Sequence, residues 1–403
     1  MACQTGSKKH MNKAFEATTP GPAPLQERLP GRYAVQFTGS GSEYFRIWIV
    51  NLLLTLLTLG LYYPWAKVRK LKYFYSNTEV AGHALDFHGS PKQMLRGFLL
   101  MAFFFLAYSF AGQVSPVASA VCGLLLAAAW PALLRASLRF RLANTSWRGL
   151  RFEFTGSLKG AYAVFGKAIL GAVLLGGAGI ALMATQSTLG IVAGVVCFLA
   201  IYAMGPYVYF AFKRYQHQNY AYAQLQTEFR ASFGDIIKVF MRTGGLTLLM
   251  FAVAGVIAAV FMAAGMGEAM SSGSGGKGEK FASLAPVAIG LVLVLQFVPA
   301  PYFQSRMQNL VWSQTGNAVI RFKSDLGFTP LFKQTLLNWV LIIVTLGLYW
   351  PFALVASTRL KLQAITVHMR IDPDTLVSQA QPRAGQMGIG DAAADLAGFD
   401  LGL

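Results

Sequence analysis

Pro64-Trp65-Ala66-Lys67-Val68-Arg69-Lys70-Leu71-Lys72-Tyr73 closes a long apolar run, and Asn77-Thr78 and then Leu85-Asp86-Phe87-His88-Gly89-Ser90 follow it. The same punctuation returns along the chain. A phenylalanine stands 23 residues after a proline at Pro64/Phe87, Pro131/Phe154, Pro206/Phe229 and Pro299/Phe322. Three of these units also carry an asparagine 13 residues after the proline, at Asn77, Asn144 and Asn219. Gly89-Ser90 recurs as Gly156-Ser157 and, more loosely, as Ala231-Ser232. Spacing this regular, alternating with runs of bilayer length, marks internal duplication. It specifies an architecture and leaves the chemistry open.

Composition sets the class. Hydrophobic residues make up 55% and charged residues 12%, with a mean hydropathy of +0.48. Those values describe a polytopic membrane protein. The net charge of +18 is dispersed in short stretches between apolar runs, which argues against nucleic acid as a partner. Cys3 stands in a polar tail, and Cys122 and Cys197 stand in apolar runs, so no disulfide framework is expected.

Six runs pair naturally: Phe98 to Val114 with Val117 to Leu134, Ala161 to Ala184 with Leu189 to Phe212, and Leu246 to Met266 with Leu284 to Phe303. The expected fold is an all-α transmembrane bundle of repeated helical hairpins, with six spans and short cytosolic β-strand segments between hairpins. Residues 32–371 form this domain, flanked by a polar disordered tail over 1–31 and a second disordered tail over 372–403. Cations crowd the connectors between pairs, while Lys277 and Lys280 on the other side are offset by Glu268 and Glu279. By the positive-inside rule the cation-rich connectors are cytosolic.

Two terminal runs, Ile47 to Tyr63 and Leu336 to Phe352, are copies of each other. They match at Thr58-Leu59-Gly60-Leu61-Tyr62 and Thr345-Leu346-Gly347-Leu348-Tyr349, and again at Pro64 and Pro351. If both cross, the bundle has eight spans and extracytosolic ends; if both are shallow or re-entrant, the ends stay cytosolic. Length favours crossing. Charge favours the shallow reading, because cations flank both ends of each run, and the balance falls there.

Each module holds a basic helical stretch, an asparagine where the helix ends, and a strand-like segment. Asparagine is expected at the helix end because it tolerates the left-handed conformation. The strands Leu85-Asp86-Phe87, Phe152-Glu153-Phe154, Thr227-Glu228-Phe229 and Ile320-Arg321-Phe322 are joined by Val35-Gln36-Phe37 before the first run. Unpaired backbone is costly at a membrane surface, so these segments are expected to pair into a small sheet or ring.

Candidate contacts for anionic headgroups, or for an anionic ligand, are Lys67, Arg69, Lys70, Lys72, Arg135, Arg139, Arg141, Lys213 and Arg214. The expected partner is a bilayer containing anionic phospholipids. Inside the apolar runs the polar candidates are Asn51, Lys167 and Asn338, with Lys167 near enough to an end to snorkel. No Asp or Glu falls within the paired runs, which disfavours a carboxylate proton relay. His83 and His88 offer two metal ligands without a third, so neither metal nor cofactor is expected. Asp86 and Glu153 serve as a carboxylate pair only if their units face each other. No nucleotide or hydrolase motif is present.

The blocks Phe37-Thr38-Gly39-Ser40 and Leu59-Gly60-Leu61-Tyr62-Tyr63-Pro64-Trp65-Ala66-Lys67 resemble the YjgN-like family of bacterial inner-membrane proteins, a domain of unknown function. The likeness covers residues 32–371. It implies a multi-pass inner-membrane location and brings no site residues. The working expectation is a non-enzymatic bundle that eases passage of a small solute or lipid. A membrane scaffold is the alternative and a membrane enzyme the third reading.

Overall fold

A computed structural model describes residues 31–271 and 297–378. The run Leu284 to Phe303 falls largely outside them, as do Lys277, Lys280 and most of both tails. Among the described residues five helices are long and apolar enough to cross a membrane. These are α3 (Pro91–Val114), α4 (Pro116–Ala143), α5 (Leu158–Ala184), α6 (Thr188–Gln218) and, within α7 (Phe233–Ser271), the stretch Phe233–Ile257. Shorter helices are α1 (Gly41–Leu57), α2 (Tyr63–Ser76), α8 (Pro299–Ser313), α9 (Phe328–Val344), α10 (Trp350–Gln363) and α11 (Pro373–Ser378).

Helices α1 to α10 pack in chain order, and α10 packs on α1, so the helical layer closes on itself. Between α5 and α6 the approach is close. A Cβ on Gly194 would lie 2.9 Å from the Gly179 carbonyl oxygen. Small residues permit this contact where no hydrophobic force drives helices together in lipid.

The terminal runs turn back. Helix α1 has 17 residues, as does α9; at 1.5 Å per residue each is about 25 Å long, short of the roughly 30 Å of hydrocarbon. Each ends in the same turn, with Leu59 at φ 50° and Gly60 at φ 92°, and Leu346 at φ 51° and Gly347 at φ 92°. The Gly60 N–H donates to the Thr55 carbonyl at 2.7 Å and the Gly347 N–H to the Ile342 carbonyl at 2.8 Å. Thr58 and Thr345 then accept from the N–H groups of Tyr62 and Tyr349, at 3.0 and 2.9 Å. The chain returns at once as α2 and α10.

Strands fill the connectors: β1 (Gly31–Ala34), β2 (Gln36–Phe37), β3 (Thr78–Val80), β4 (His83–Phe87), β5 (Thr145–Trp147), β6 (Leu150–Phe154), β7 (Tyr220–Tyr222), β8 (Leu225–Gln226), β9 (Glu228–Phe229), β10 (Thr315–Gly316), β11 (Ile320–Ser324) and β12 (Ile365–Met369). Two antiparallel runs form, β1-β12-β11-β10-β9 and β2 through β8 in order. They meet at two strands that change partner. The Val35 N–H donates to Ile365 at 3.0 Å, while the Thr38 N–H donates to Asn77 at 2.9 Å. Alternate N–H groups of a strand point to opposite edges, so β12 flanks one edge of this strand and β3 the other. Likewise the Thr227 N–H reaches Tyr220 at 2.8 Å and the Arg230 N–H reaches Gln314 at 2.9 Å, on the opposite edge. The strands therefore make a closed ring, which removes the free edges an open sheet would expose.

Five units build the ring, and one of them is split between the chain ends: β12 supplies its first strand and β1–β2 its second. In every unit a helix-end carbonyl accepts from the strand before it. His88 N–H donates to Asn144 at 2.8 Å, Thr155 N–H to Asn219 at 3.0 Å and Asp325 N–H to Ala364 at 2.9 Å. With Thr38–Asn77 and Arg230–Gln314 this makes one recurring bond around the ring.

This recurrence corrects two expectations. Gln314 and Ala364 each lie 13 residues after a proline, Pro301 and Pro351. The fourth anchor is thus Pro301, and Pro299 stands two residues early. Ser324 accordingly occupies the place of Phe87, Phe154 and Phe229, while Phe322 matches Leu85 and Phe152. The asparagines, moreover, are not left-handed, with φ of −96°, −95° and −114° at Asn77, Asn144 and Asn219. They end their helices by side-chain capping. Each Nδ2 donates to the carbonyl four residues back, at Tyr73 (2.8 Å), Phe140 (2.8 Å) and Tyr215 (2.7 Å). Positive φ falls instead at the strand turns Ala81-Gly82 and Arg148-Gly149, as two-residue hairpin loops require.

Beyond 371 the chain continues as α11, whose Pro373 and Leu376 are buried.

Candidate functional site

Where the helix ends meet the ring, the structure holds a partly open cavity of about 260 Å³. Alternation in the strands makes it. Val35, Leu85, Phe152, Thr227 and Phe322 are one equivalent position in the five units, and all five line the cavity. Aromatic residues cross-brace the wall. The Trp147 indole N–H is shared between the carbonyls of Val80 (3.2 Å) and His83 (3.3 Å), and the Tyr222 hydroxyl donates to the Trp147 carbonyl at 3.0 Å. Burial pushes the Tyr222 phenol up to about 12, against the opposing pull of Arg148.

At the floor, Arg141 from the last turn of α4 lines the cavity with Gln216, Tyr220 and Tyr75. Burial holds the Tyr220 phenol well above its usual range, while a hydrogen bond with Gln216 and the charge of Arg141 act in the opposite direction. Its hydroxyl is therefore a neutral donor at physiological pH. Among the described lining residues there is no carboxylate. Just behind, the Lys213 ammonium donates to Gln216 Oε1 at 3.1 Å, and His217 Nδ1 lies 3.0 Å from the Thr315 hydroxyl.

The far mouth carries α11. In ring order the split unit that leads into α11 is two units away from the β5–β6 unit, yet Asp374 of α11 pairs with Arg148 at the β5–β6 tip. The helix must therefore cross the opening. Leu376 is buried in one cluster with Trp147, Tyr222 and Met369.

The candidate cations separate into groups. Arg69, Lys72 and Arg214 are exposed, and Lys67, Lys70, Arg135 and Arg139 are half-buried. Arg69 lies over the Tyr62 ring at 5.7 Å, and Arg135 Nε donates to the Gly156 carbonyl at 2.7 Å. Lys213 is buried, and Arg141 is half-buried and lines the cavity. Lys167 is exposed on α5. Asn51 and Asn338 do not line the cavity: they tie helix to helix, through Ala66 at 3.4 Å and through Ala353 at 3.3 Å and Ser357 at 3.0 Å.

His88 Nε2 lies 2.7 Å from the Ser146 hydroxyl and 3.7 Å from Asp86. A serine–histidine–aspartate relay needs the two partners on different ring nitrogens; here one nitrogen faces both. His83 turns to the Ala81 carbonyl at 3.1 Å, and Glu153 lies in the next unit round. Among the described residues no cluster of three metal-ligating side chains occurs. Sequence reasoning passed over Trp147, Tyr222, Leu376 and Asp374, because nothing in their local pattern marks a cavity wall or a lid.

The profile of a family described as "Bacterial protein of unknown function (DUF898)" matches residues 32–396. The chain belongs to this family. Among curated proteins this DUF898 member is 35% identical over 129 residues to "Inner membrane protein YjgN" of Escherichia coli (strain K12), covering 32% of each chain. It is 30% identical over 131 residues to the protein of that name from Salmonella typhimurium (strain LT2), covering 32% of this chain and 33% of the relative. The matched stretch thus spans about a third of these relatives. No solved structure matches. With five membrane-length helices, this is a multi-pass inner-membrane protein of an uncharacterised family.

Proposed function

We propose that this DUF898 member is a bundle of duplicated helical hairpins whose strand ring faces the cytosol, and that it eases passage of a small apolar or amphipathic solute. The ring chamber is the stopping place between bilayer and cytosol. One observation carries the reading: a mostly apolar chamber sits where membrane helices end, closed all round by strands and spanned at its far mouth by α11. Ligand sites are characteristically concave, apolar and supplied with a few convergent polar groups. The orientation follows from the connectors, whose cations share one face. Arg69, Lys72 and Arg214 are exposed there to contact anionic phospholipids, at about 1 kcal/mol per cation.

Reconstitution of the purified protein in liposomes, with assays of solute flux and lipid scrambling, tests this. Flux above empty liposomes is expected. No flux of any small amphipath, together with retention of a single protein partner, rejects passage in favour of the scaffold.

A further inference from the structure

The polar side chains that line the chamber are already committed to the protein itself. Thr78 donates to the Phe74 carbonyl at 2.7 Å, Thr145 to the Arg141 carbonyl at 2.8 Å and Thr227 to the His217 carbonyl at 2.5 Å. The Asn317 amide donates to the Gln226 carbonyl at 3.1 Å, and its oxygen accepts from the N–H groups of Val319 and Ile320 at 2.9 and 2.7 Å. Gln216 accepts from the Lys213 ammonium and bonds with Tyr220, while Tyr75 and Arg141 have partners of their own. Trp147 and Tyr222 are tied to backbone carbonyls. That leaves Trp312 as the one polar lining side chain, among the described residues, that makes no hydrogen bond. An entering molecule therefore meets apolar surface, a single free indole N–H and no uncommitted charge. A charged guest would have to take Arg141 from its present partner or stay unpaired, and a buried unpaired charge is costly.

We propose that the chamber binds an uncharged, largely hydrocarbon guest with at most one hydrogen-bond acceptor, and discriminates against acids and amines of the same shape. Space limits its size. Cavities of about 150 Å³ lined by aliphatic and aromatic side chains stay dry and take up benzene. In the same proportion a cavity of about 260 Å³ takes about ten non-hydrogen atoms, which is a compact bicyclic or cage skeleton and far short of a phospholipid. The room comes from the repeat. The wall position that is Phe152 and Phe322 in two units is Val35, Leu85 and Thr227 in the other three, and these smaller side chains leave open what aromatic rings would fill. The assignment narrows the passage reading above and rests on the chamber being a ligand site.

Trp147 and Trp312 line the chamber and report on it, because bromine quenches tryptophan fluorescence. The full chain in nanodiscs is titrated with bromoadamantane, and the saturable part of the quenching is competed at neutral pH with adamantanone, adamantane carboxylate and adamantylamine, each corrected for its partition into protein-free nanodiscs. The ketone is expected to compete at least tenfold more strongly than the carboxylate or the ammonium ion. Leu85→Phe and Val35→Phe, which add at one wall position the side chain two other units already carry, should each weaken bromoadamantane binding at least tenfold while thermal unfolding stays cooperative. A carboxylate or amine that competes as well as the ketone overturns the uncharged guest alone and leaves the chamber a ligand site. Quenching that never saturates, or that keeps its affinity in a folded filling variant, overturns the chamber as a ligand site, and the assignment falls with it. Should neither variant fold, the comparison of ketone with carboxylate and amine on the unaltered chain decides.

Discussion

Arg148 and Asp374, which are 226 residues apart in sequence, form an ion pair across the mouth of the strand ring. Arg148 sits at a positive-φ turn and also lies over the Trp147 ring at 5.3 Å. Its side chain is 11% exposed and that of Asp374 77%, so the pair is half in water and contributes about 1 kcal/mol or less. Its consequence is positional, because it holds α11 over the opening. Asp374→Asn should leave melting temperature nearly unchanged but raise the reactivity of a cysteine placed at Val367 in a cysteine-free background toward a water-soluble maleimide. Equal labelling rates with and without the aspartate show that α11 does not restrict access.

Asn338 and Asn51 occupy matching places, yet the two are not equally bonded. The Asn338 amide donates to Ala353 and Ser357, and its oxygen accepts from Gln334 at 2.8 Å. Asn51 has the Ala66 bond at 3.4 Å, and its oxygen is buried without a partner. Removing a buried, satisfied side chain costs about 1–3 kcal/mol. Asn338→Ala should therefore lower the melting temperature in detergent clearly more than Asn51→Ala. The reverse order contradicts this bonding pattern.

Gly194 and Gly177 separate packing from helix propensity. A Cβ at Gly194 meets the Gly179 carbonyl oxygen at 2.9 Å and Met183 Cγ at 2.5 Å, whereas at Gly177 it meets nothing within 4 Å. Overpacking of this kind costs about 1–3 kcal/mol; relief of glycine freedom in a helix gains roughly 0.5–1 kcal/mol. Gly194→Ala is expected to destabilise and Gly177→Ala to be neutral or stabilising, as read by thermal unfolding. Equal effects at both sites mean that α5 and α6 are not in close contact.

Topology mapping checks the closure. Because β1 and β12 pair over four residues, Gly31↔Met369 to Ala34↔Thr366, tags beyond both described ends should be protected on one side of the membrane together with the Arg148 turn. Cysteines at Leu59 and Leu346, whose side chains are 95% and 94% exposed, should resist a water-soluble maleimide from either side, since the exposure is to hydrocarbon. Tags on opposite sides would contradict the ring.

The four-unit repeat was readable because the distance from proline to helix end is a local property, set by rise per residue and a capping side chain. Asn77, Asn144 and Asn219 preserve it. At the ends of α8 and α10 the cap is Gln314 or Ala364, neither of which shows the Asn signature, so the anchor slid from Pro301 to Pro299 and Ser324 was hidden behind Phe322. The duplicated terminal runs were legible as copies. Their sharp reversal was not, because Leu59-Gly60 turns the chain through backbone angles rather than through a change in hydropathy.

Membrane class, the cation-rich connectors and a segmental repeat belong to the order of residues alone, because hydropathy and spacing act over one or two turns of chain. Folding in three dimensions decided that the first and last strands complete a fifth unit, that α11 reaches across to Arg148, and that Lys213 is buried and Arg141 lines the cavity while Arg69 and Arg214 are exposed. Ring closure is made by backbone donors and acceptors that nearly every residue carries, and the surroundings of a cation such as Arg141 are set by other units of the repeat, which bring Tyr75 and Tyr220 beside it.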